Sequence, residues 1–96
     1  MKNKKWKIVQ SDSENGQRVG EAIVEAVENQ LKANDPPETK HTLDRLMALG
    51  ESRENAMRYI ACVLSVEIFD AFKNNKPYNE ERYLRNLKAL PKLPDE

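Results

Sequence analysis

Glu67 is the residue whose setting most suggests chemistry, because it falls inside a long apolar segment. On a helical wheel of residues 52–73 it lies between Ile60 and Val63. A lone carboxylate among apolar side chains needs a partner or must take up a proton. Two interpretations stay open: a general base or metal ligand, or a structural acid bonded to Gln30, to a tyrosine hydroxyl or to an arginine. Ion-pair networks of the second kind are common, so that interpretation is favoured.

Gln30 is the polar member of an apolar stripe earlier in the chain. Glu67 and Gln30 are therefore a candidate buried polar pair. Such a pair more often fixes the register of two helices than performs chemistry.

The other reactive residue types give no constellation. The only histidine, His41, has Glu38 at helical spacing, but a metal site usually needs three or four ligands. The only cysteine, Cys62, stands among apolar residues, so we expect a buried, unreactive thiol in a reducing compartment. The sequence predicts no catalytic residue, no metal ligand and no cofactor, and any enzyme hypothesis depends on Glu67 alone.

A basic arm opens the chain, with Lys2, Lys4, Lys5 and Lys7 around Trp6. Lysines can neutralise phosphates and a tryptophan can stack on a base, so the arm is a candidate nucleic-acid contact. However, sixteen basic residues balance sixteen acidic ones over the chain. A net charge of zero provides no global attraction to nucleic acid, so this function is only an alternative.

The elements that must position these residues are helices, as the spacing of apolar residues shows. The sequence predicts an all-α fold: a small bundle of four helices around a long central apolar helix, with an extended N-terminal arm. The predicted helices are Gln17–Ala33, Pro36–Leu49, Ser52–Lys73 and a short one between Asn79 and Pro91. The predicted domain organisation is a flexible basic arm and loop at 1–16, a single helical domain at 17–91 and a C-terminal tail at 92–96.

Capping residues support these boundaries. Asp35, Ser52 and Asn79 each stand where an N-cap is expected, and Gly50 follows the second helix in the position that ends many helices. Gly20 lies inside the first helix, where it costs about 1 kcal/mol relative to alanine.

The third predicted helix is apolar on more than one side. The residues predicted to face inward are Ala56, Met57, Ile60, Ala61, Leu64, Ile68, Ala71 and Phe72. A second apolar side consists of Tyr59, Cys62, Val63, Val66 and Phe69. Either the other helices wrap this helix completely, or a second copy of the chain covers the remainder as a homodimer.

From 21 to 91 the pattern resembles a family of small uncharacterised bacterial proteins, domain of unknown function 1841. The residues that carry the resemblance are Glu28-Asn29-Gln30-Leu31, Asp35-Pro36-Pro37, Thr42-Leu43-Asp44-Arg45-Leu46, Ser52-Arg53-Glu54-Asn55-Ala56, Val63-Leu64, Glu67-Ile68-Phe69 and Arg82-Tyr83. The resemblance implies a helical fold in a bacterial protein and no known reaction. Where that family tends to carry histidines, this chain has Gly20, Val24, Glu54 and Arg58, so a metal-dependent activity does not carry over.

These observations favour a non-enzymatic helical module that binds another protein or itself. The alternatives are a metal-binding protein or enzyme using Glu67, and a nucleic-acid accessory protein using the Lys-rich arm. No stretch reaches the roughly 18 apolar residues of a membrane span, and no apolar signal core follows the first lysines. We therefore expect a cytoplasmic location and no membrane partner.

Overall fold

Four helices follow one another in the computed structural model, which describes residues 13–94, with side chains from residue 19 onward. They are α1 (Ser13–Ala33), α2 (Pro37–Ala48), α3 (Arg53–Asn74) and α4 (Glu80–Ala89). No strand occurs between residues 13 and 94. The all-α prediction is confirmed.

Helix α3 is the centre of the bundle, because it packs against each of the other three helices. The buried apolar side chains come from all four helices and from the residue after α4: Val27, Leu43, Leu46, Ala56, Met57, Ile60, Val63, Leu64, Tyr83, Leu87 and Leu90. The prediction of one long central helix is confirmed.

Helix α1 begins at Ser13 rather than at the predicted Gln17. Residues 13–16 were predicted to be loop because Asn15 and Gly16 are poor helix formers. Their penalty is only about 1 kcal/mol each or less, so intrinsic propensity is weak evidence for a boundary. The predicted arm is therefore shorter, and residues 1–12 lie outside the described part of the chain.

Helix α2 begins one residue later than predicted, and Asp35 is not its N-cap. Pro36 holds the N-cap position in an extended conformation, with φ −78° and ψ 152°, and no side chain caps this end. The cause is the second proline, because Pro37 disfavours the helical conformation in the residue before it.

The other predicted caps are confirmed. The Ser52 side chain accepts a hydrogen bond from the Asn55 backbone N–H at 3.0 Å. Asn79 Oδ1 accepts one from the Arg82 backbone N–H, also at 3.0 Å. Gly50 has a φ of 109°, which L-residues rarely adopt, and so allows the turn after α2.

Helix α4 is short and is anchored at both ends. Before it, the Tyr78 ring packs edge-to-face on Tyr83 with 6.1 Å between ring centroids. At its other end Arg45 of α2 donates to the carbonyl oxygens of Leu90 (2.6 Å) and Leu87 (2.9 Å). These bonds add a side-chain donor to carbonyl groups at the helix end, where the Leu87 oxygen also accepts the Leu90 backbone N–H.

Several side chains predicted to face inward are exposed instead. The exposed fraction is 39% for Ile68 and 88% for Phe72. Cys62, predicted to be buried, is also exposed.

The short lengths of α2 and α4 explain the exposure of Ile68 and Phe72 near the end of α3. Its 22 residues extend about 33 Å, at 1.5 Å per residue, whereas α2 has 12 residues and α4 has 10. Neighbours this short cannot cover every side of the last turns of α3.

Among the described helices, none combines the length and the apolar character that crossing a bilayer requires.

Candidate functional site

Glu67 is completely buried, as its apolar neighbours indicated. Arg82 donates from Nε to Glu67 Oε2 at 2.6 Å and from Nη2 to Oε1 at 2.9 Å. The backbone N–H of Asn79 donates to Oε1 at 3.3 Å. Of the partners considered from the sequence, the arginine is the one that the structure places at Glu67.

Arg82 also connects this carboxylate to a second acid. Its Nη2 donates to Asp70 Oδ2 at 2.9 Å, and Asn74 Nδ2 donates to Asp70 Oδ1 at 2.6 Å. The hydrogen bond from Arg82 lowers the pKa of the Asp70 carboxyl, and the bond from Asn74 adds to this effect. Hydrogen bonding to Glu67 and then to Asp70 raises the pKa of the Arg82 guanidinium. We call Glu67, Asp70, Asn74, Asn79 and Arg82 the Glu67 cluster.

The Glu67 cluster joins the first turn of α4 to the second half of α3. The N-cap at Asn79 fixes where α4 begins, and Arg82 stands three residues later on the side that faces α3. Both carboxylate oxygens of Glu67 accept hydrogen bonds, and the side chain has no exposed surface. A general base needs contact with the proton that it removes. This arrangement is that of a structural ion pair.

Gln30 belongs to a separate network. Its Oε1 accepts hydrogen bonds from Thr39 Oγ1 at 2.7 Å and from the Tyr83 hydroxyl at 2.8 Å. The two donors are buried, and burial raises the pKa of Tyr83. One amide oxygen thus links α1, α2 and α4.

The structure does not join the predicted pair of Gln30 and Glu67: no hydrogen bond connects them among the described residues. The charged donors of Arg82 form stronger bonds with a carboxylate than a neutral amide can. Sequence reasoning identified the two polar positions but not their partners, because Thr39, Tyr83 and Arg82 are brought to them by helix packing. The only local signal for the Arg82 partner was its position three residues after Asn79, the predicted N-cap of α4.

No group of three or more histidine, cysteine, aspartate or glutamate side chains that could hold a metal ion occurs among the described residues. His41 is exposed on α2. The basic arm at 2–7 lies outside the described residues, so its nucleic-acid contact stays a prediction.

A row of solvent-facing side chains follows α3, which we call the outer face of α3. It is formed by Arg58, Cys62, Ser65, Phe69 and Phe72. Their spacing alternates between four and three residues, which is the seam of a two-helix coiled coil. The exposed fraction is 56% for Phe69 and 88% for Phe72. The two rings are at the C-terminal end of the face.

Two surface grooves border the N-terminal end of the same face. The larger, about 1010 Å³, lies between α1 and α3 and is bordered by Arg58, Cys62 and Ser65. The smaller, about 290 Å³, lies between Tyr59 and Leu93 and is also bordered by Arg58 and Cys62. A further groove, about 830 Å³, lies beside Phe72 at the C-terminal end, so hollows border both ends of the outer face.

Comparison with known proteins gives no relative: no protein-family model, no curated protein and no solved structure matches this chain. The resemblance to domain of unknown function 1841 therefore stays a prediction from the sequence.

Proposed function

We propose that this chain is a non-enzymatic helical module whose function is to associate with a second copy of itself through the outer face of α3. One observation carries the proposal: Phe72 is 88% exposed beside a second exposed phenylalanine, Phe69. Large apolar side chains that are exposed together mark contact surfaces more often than isolated ones do.

The expected strength of association follows from the apolar surface. Burying one fully exposed phenylalanine gains roughly 1.5–3 kcal/mol, so the four rings of a dimer gain at most about 6–12 kcal/mol, because Phe69 is only 56% exposed in the monomer. Association costs an estimated 4–15 kcal/mol in lost freedom of motion. The two terms are of similar size, which indicates a reversible dimer whose affinity depends on the contacts around the rings.

The alternative of an enzyme or metal-binding protein is less well supported. Glu67 has no exposed surface, and both of its oxygens already accept hydrogen bonds. The nucleic-acid alternative depends on residues 2–7, and no described contact favours it. The bacterial origin implied by the family resemblance and the expected cytoplasmic location remain parts of the proposal.

Replacing Phe72 with serine tests the proposal. Because the side chain is almost fully exposed, Phe72→Ser should leave the stability of the monomer unchanged while it weakens the dimer. The matched control is Leu49→Ser, which removes another exposed apolar side chain, 64% exposed, from the end of α2. Light scattering coupled to size exclusion should show a dimer for the wild type and for Leu49→Ser, and a monomer for Phe72→Ser. Equal masses for the two variants would refute the proposal.

A further inference from the structure

We propose that residues 1–12 bind in the groove between α1 and α3 of their own chain, with the Trp6 ring against Val24 and Ala61. The groove is the one of about 1010 Å³, and residues 1–12 precede the part of the chain that the structure describes. This inference goes beyond the proposed function, because it assigns a second surface to the bundle and takes the occupant from the same chain.

The groove is suited to apolar side chains. Both of its walls are apolar at their base, where Ile23 and Val24 of α1 face Met57 and Ala61 of α3. Of these four, Ile23, Val24 and Ala61 are only partly buried. Its volume is that of a site for a whole small ligand, so it has room for more than one side chain. An occupant that covers these residues gains the free energy of removing apolar surface from water.

The segment before α1 has apolar and basic side chains in alternation. The order from position 5 to position 8 is Lys5, Trp6, Lys7 and Ile8. Successive side chains of an extended backbone point to opposite sides. Bound in that form, the segment turns Trp6 and Ile8 toward the groove and keeps both lysines in water.

Formal charge distinguishes this groove from the other two. Three glutamates line it against two arginines, and each arginine forms an ion pair with one of those glutamates. The groove of about 830 Å³ is lined by Lys76 and by no acid, and the groove of about 290 Å³ is lined by one glutamate and one arginine. A segment with four lysines is therefore attracted to the groove between α1 and α3 more than to either of the others.

The same complementarity holds for the chain as a whole. Residues 1–12 contain four of the sixteen basic residues and one of the sixteen acidic ones. The remainder of the chain consequently has twelve basic and fifteen acidic residues. The segment and the bundle thus have opposite net charges, which favours contact between them.

The direct connection to α1 brings Trp6 within reach of the groove. Val24 lies eleven residues after Ser13, which is about 17 Å along α1 at 1.5 Å per residue. Trp6 lies seven residues before Ser13, and seven extended residues span about 23–25 Å. The difference leaves length for the chain to turn back. Because the contact is intramolecular, the effective concentration is about millimolar, and weak contacts are sufficient.

The fluorescence of Trp6, the only tryptophan, tests the proposal directly. The Phe72→Ser chain is used, because the proposed dimer is removed there. Its emission maximum should lie at shorter wavelength than that of a synthetic peptide of residues 1–12, and acrylamide should quench it several-fold less. Emission and quenching equal to those of the free peptide would overturn the proposal. A shift that appears only as the protein concentration rises would also overturn it, because Trp6 would then bind to a second copy.

Substitutions in the two walls locate Trp6 in this groove. Val24→Lys and Cys62→Lys each add a cation to the groove, one from α1 and one from α3, and should move the emission toward that of the free peptide. Cys62 is exposed, so its variant decides the matter even where Val24→Lys does not fold. The matched control is Met47→Lys, on the exposed side of α2, which should leave the emission unchanged. Equal emission from Cys62→Lys and Met47→Lys would place Trp6 elsewhere and refute the proposal.

The single thiol provides a second measurement, because Cys62 lines the same groove. A segment bound there shields the thiol, so Trp6→Ser in the Phe72→Ser chain should raise the rate of alkylation by iodoacetamide several-fold. Leu49→Ser in the same chain is the control and should leave the rate unchanged, since Leu49 is at the end of α2. An unchanged rate for Trp6→Ser would contradict the proposed position of Trp6. It would leave the proposed function intact, because that function depends on Phe69 and Phe72.

Discussion

At the scale of single residues, the ion pair of Glu67 and Arg82 is asymmetric. The Glu67 side chain is fully buried, whereas 32% of the Arg82 side chain is exposed. Arg82 also has a second acceptor in Asp70. Loss of the arginine therefore leaves a buried carboxylate without its charged donor, but loss of the glutamate leaves an arginine that keeps a partner and reaches water.

This asymmetry predicts unequal effects of two substitutions on the free energy of unfolding. Arg82→Ala should cost about 3–5 kcal/mol, as expected when one partner of a buried pair is removed. Glu67→Leu should cost less than Arg82→Ala, because the remaining Arg82 keeps Asp70 as a partner and reaches water. Urea unfolding at pH 7 measures both, with Arg85→Ala as a surface control expected within about 0.5 kcal/mol of the wild type. A larger loss for Glu67→Leu than for Arg82→Ala would show that the account of this pair is wrong.

Asp70 gives the Glu67 cluster a defined pH dependence. Because its pKa is lowered in the folded state, Asp70 stabilises the fold fully above its unfolded pKa of about 3.9. That contribution is lost as the pH falls below this value and through the lowered folded pKa. Asp70→Asn should therefore be less stable than the wild type at pH 7, and the difference should shrink toward pH 3. Unfolding measured from pH 7 to pH 3 tests this, and a difference that is constant with pH would count against it.

The apolar neighbours of Glu67 predicted that its carboxylate needs a partner, but they did not identify Arg82 as that partner. Tyrosines, arginines and Gln30 were all possible, and the choice depends on how α4 lies against α3. The caps formed by Ser52 and Asn79 were predicted correctly, because each cap depends only on residues that are close in sequence.

At the scale of helices, Gly20 and Gly50 have opposite conformational requirements. Gly20 lies inside α1, and an added Cβ would meet nothing within 4 Å. Gly50 has a φ of +109°, so a side chain there is strained although the space is open.

These environments predict stability changes of opposite sign. Gly20→Ala should raise the free energy of unfolding by about 0.5–1 kcal/mol, because alanine loses less backbone entropy in a helix. Gly50→Ala should lower it by about 1 kcal/mol or more. Thermal and urea unfolding of the two variants provide the comparison, and changes of the same sign would refute this view of α1 and of the turn after α2.

Helix boundaries could be predicted where a single short capping motif determines them. The residues that end α2 and begin α3 and α4 were identified from their types. The start of α2 was displaced by the paired prolines Pro36 and Pro37, and the start of α1 extended through residues of poor propensity. At α2 the second proline outweighed the capping signal of Asp35, and at α1 residues of weak propensity did not prevent helix formation.

At the scale of the whole molecule, apolar periodicity identified the central helix but not how much of it is covered. Ile60, Val63 and Leu64 are buried as expected, whereas Ile68 and Phe72 on the same helix are exposed. The difference depends on the lengths and crossing positions of the other helices, which periodicity does not encode. The uncovered part is the surface on which the proposed function depends.

The central claim is that this uncovered surface binds a second copy of the chain. Sedimentation equilibrium of the wild-type protein, from about 1 μM to about 1 mM, tests it most directly. The account predicts a mass that rises with concentration from the 11.1 kDa of one chain toward twice that value. A mass that stays at 11.1 kDa over the whole range would contradict it.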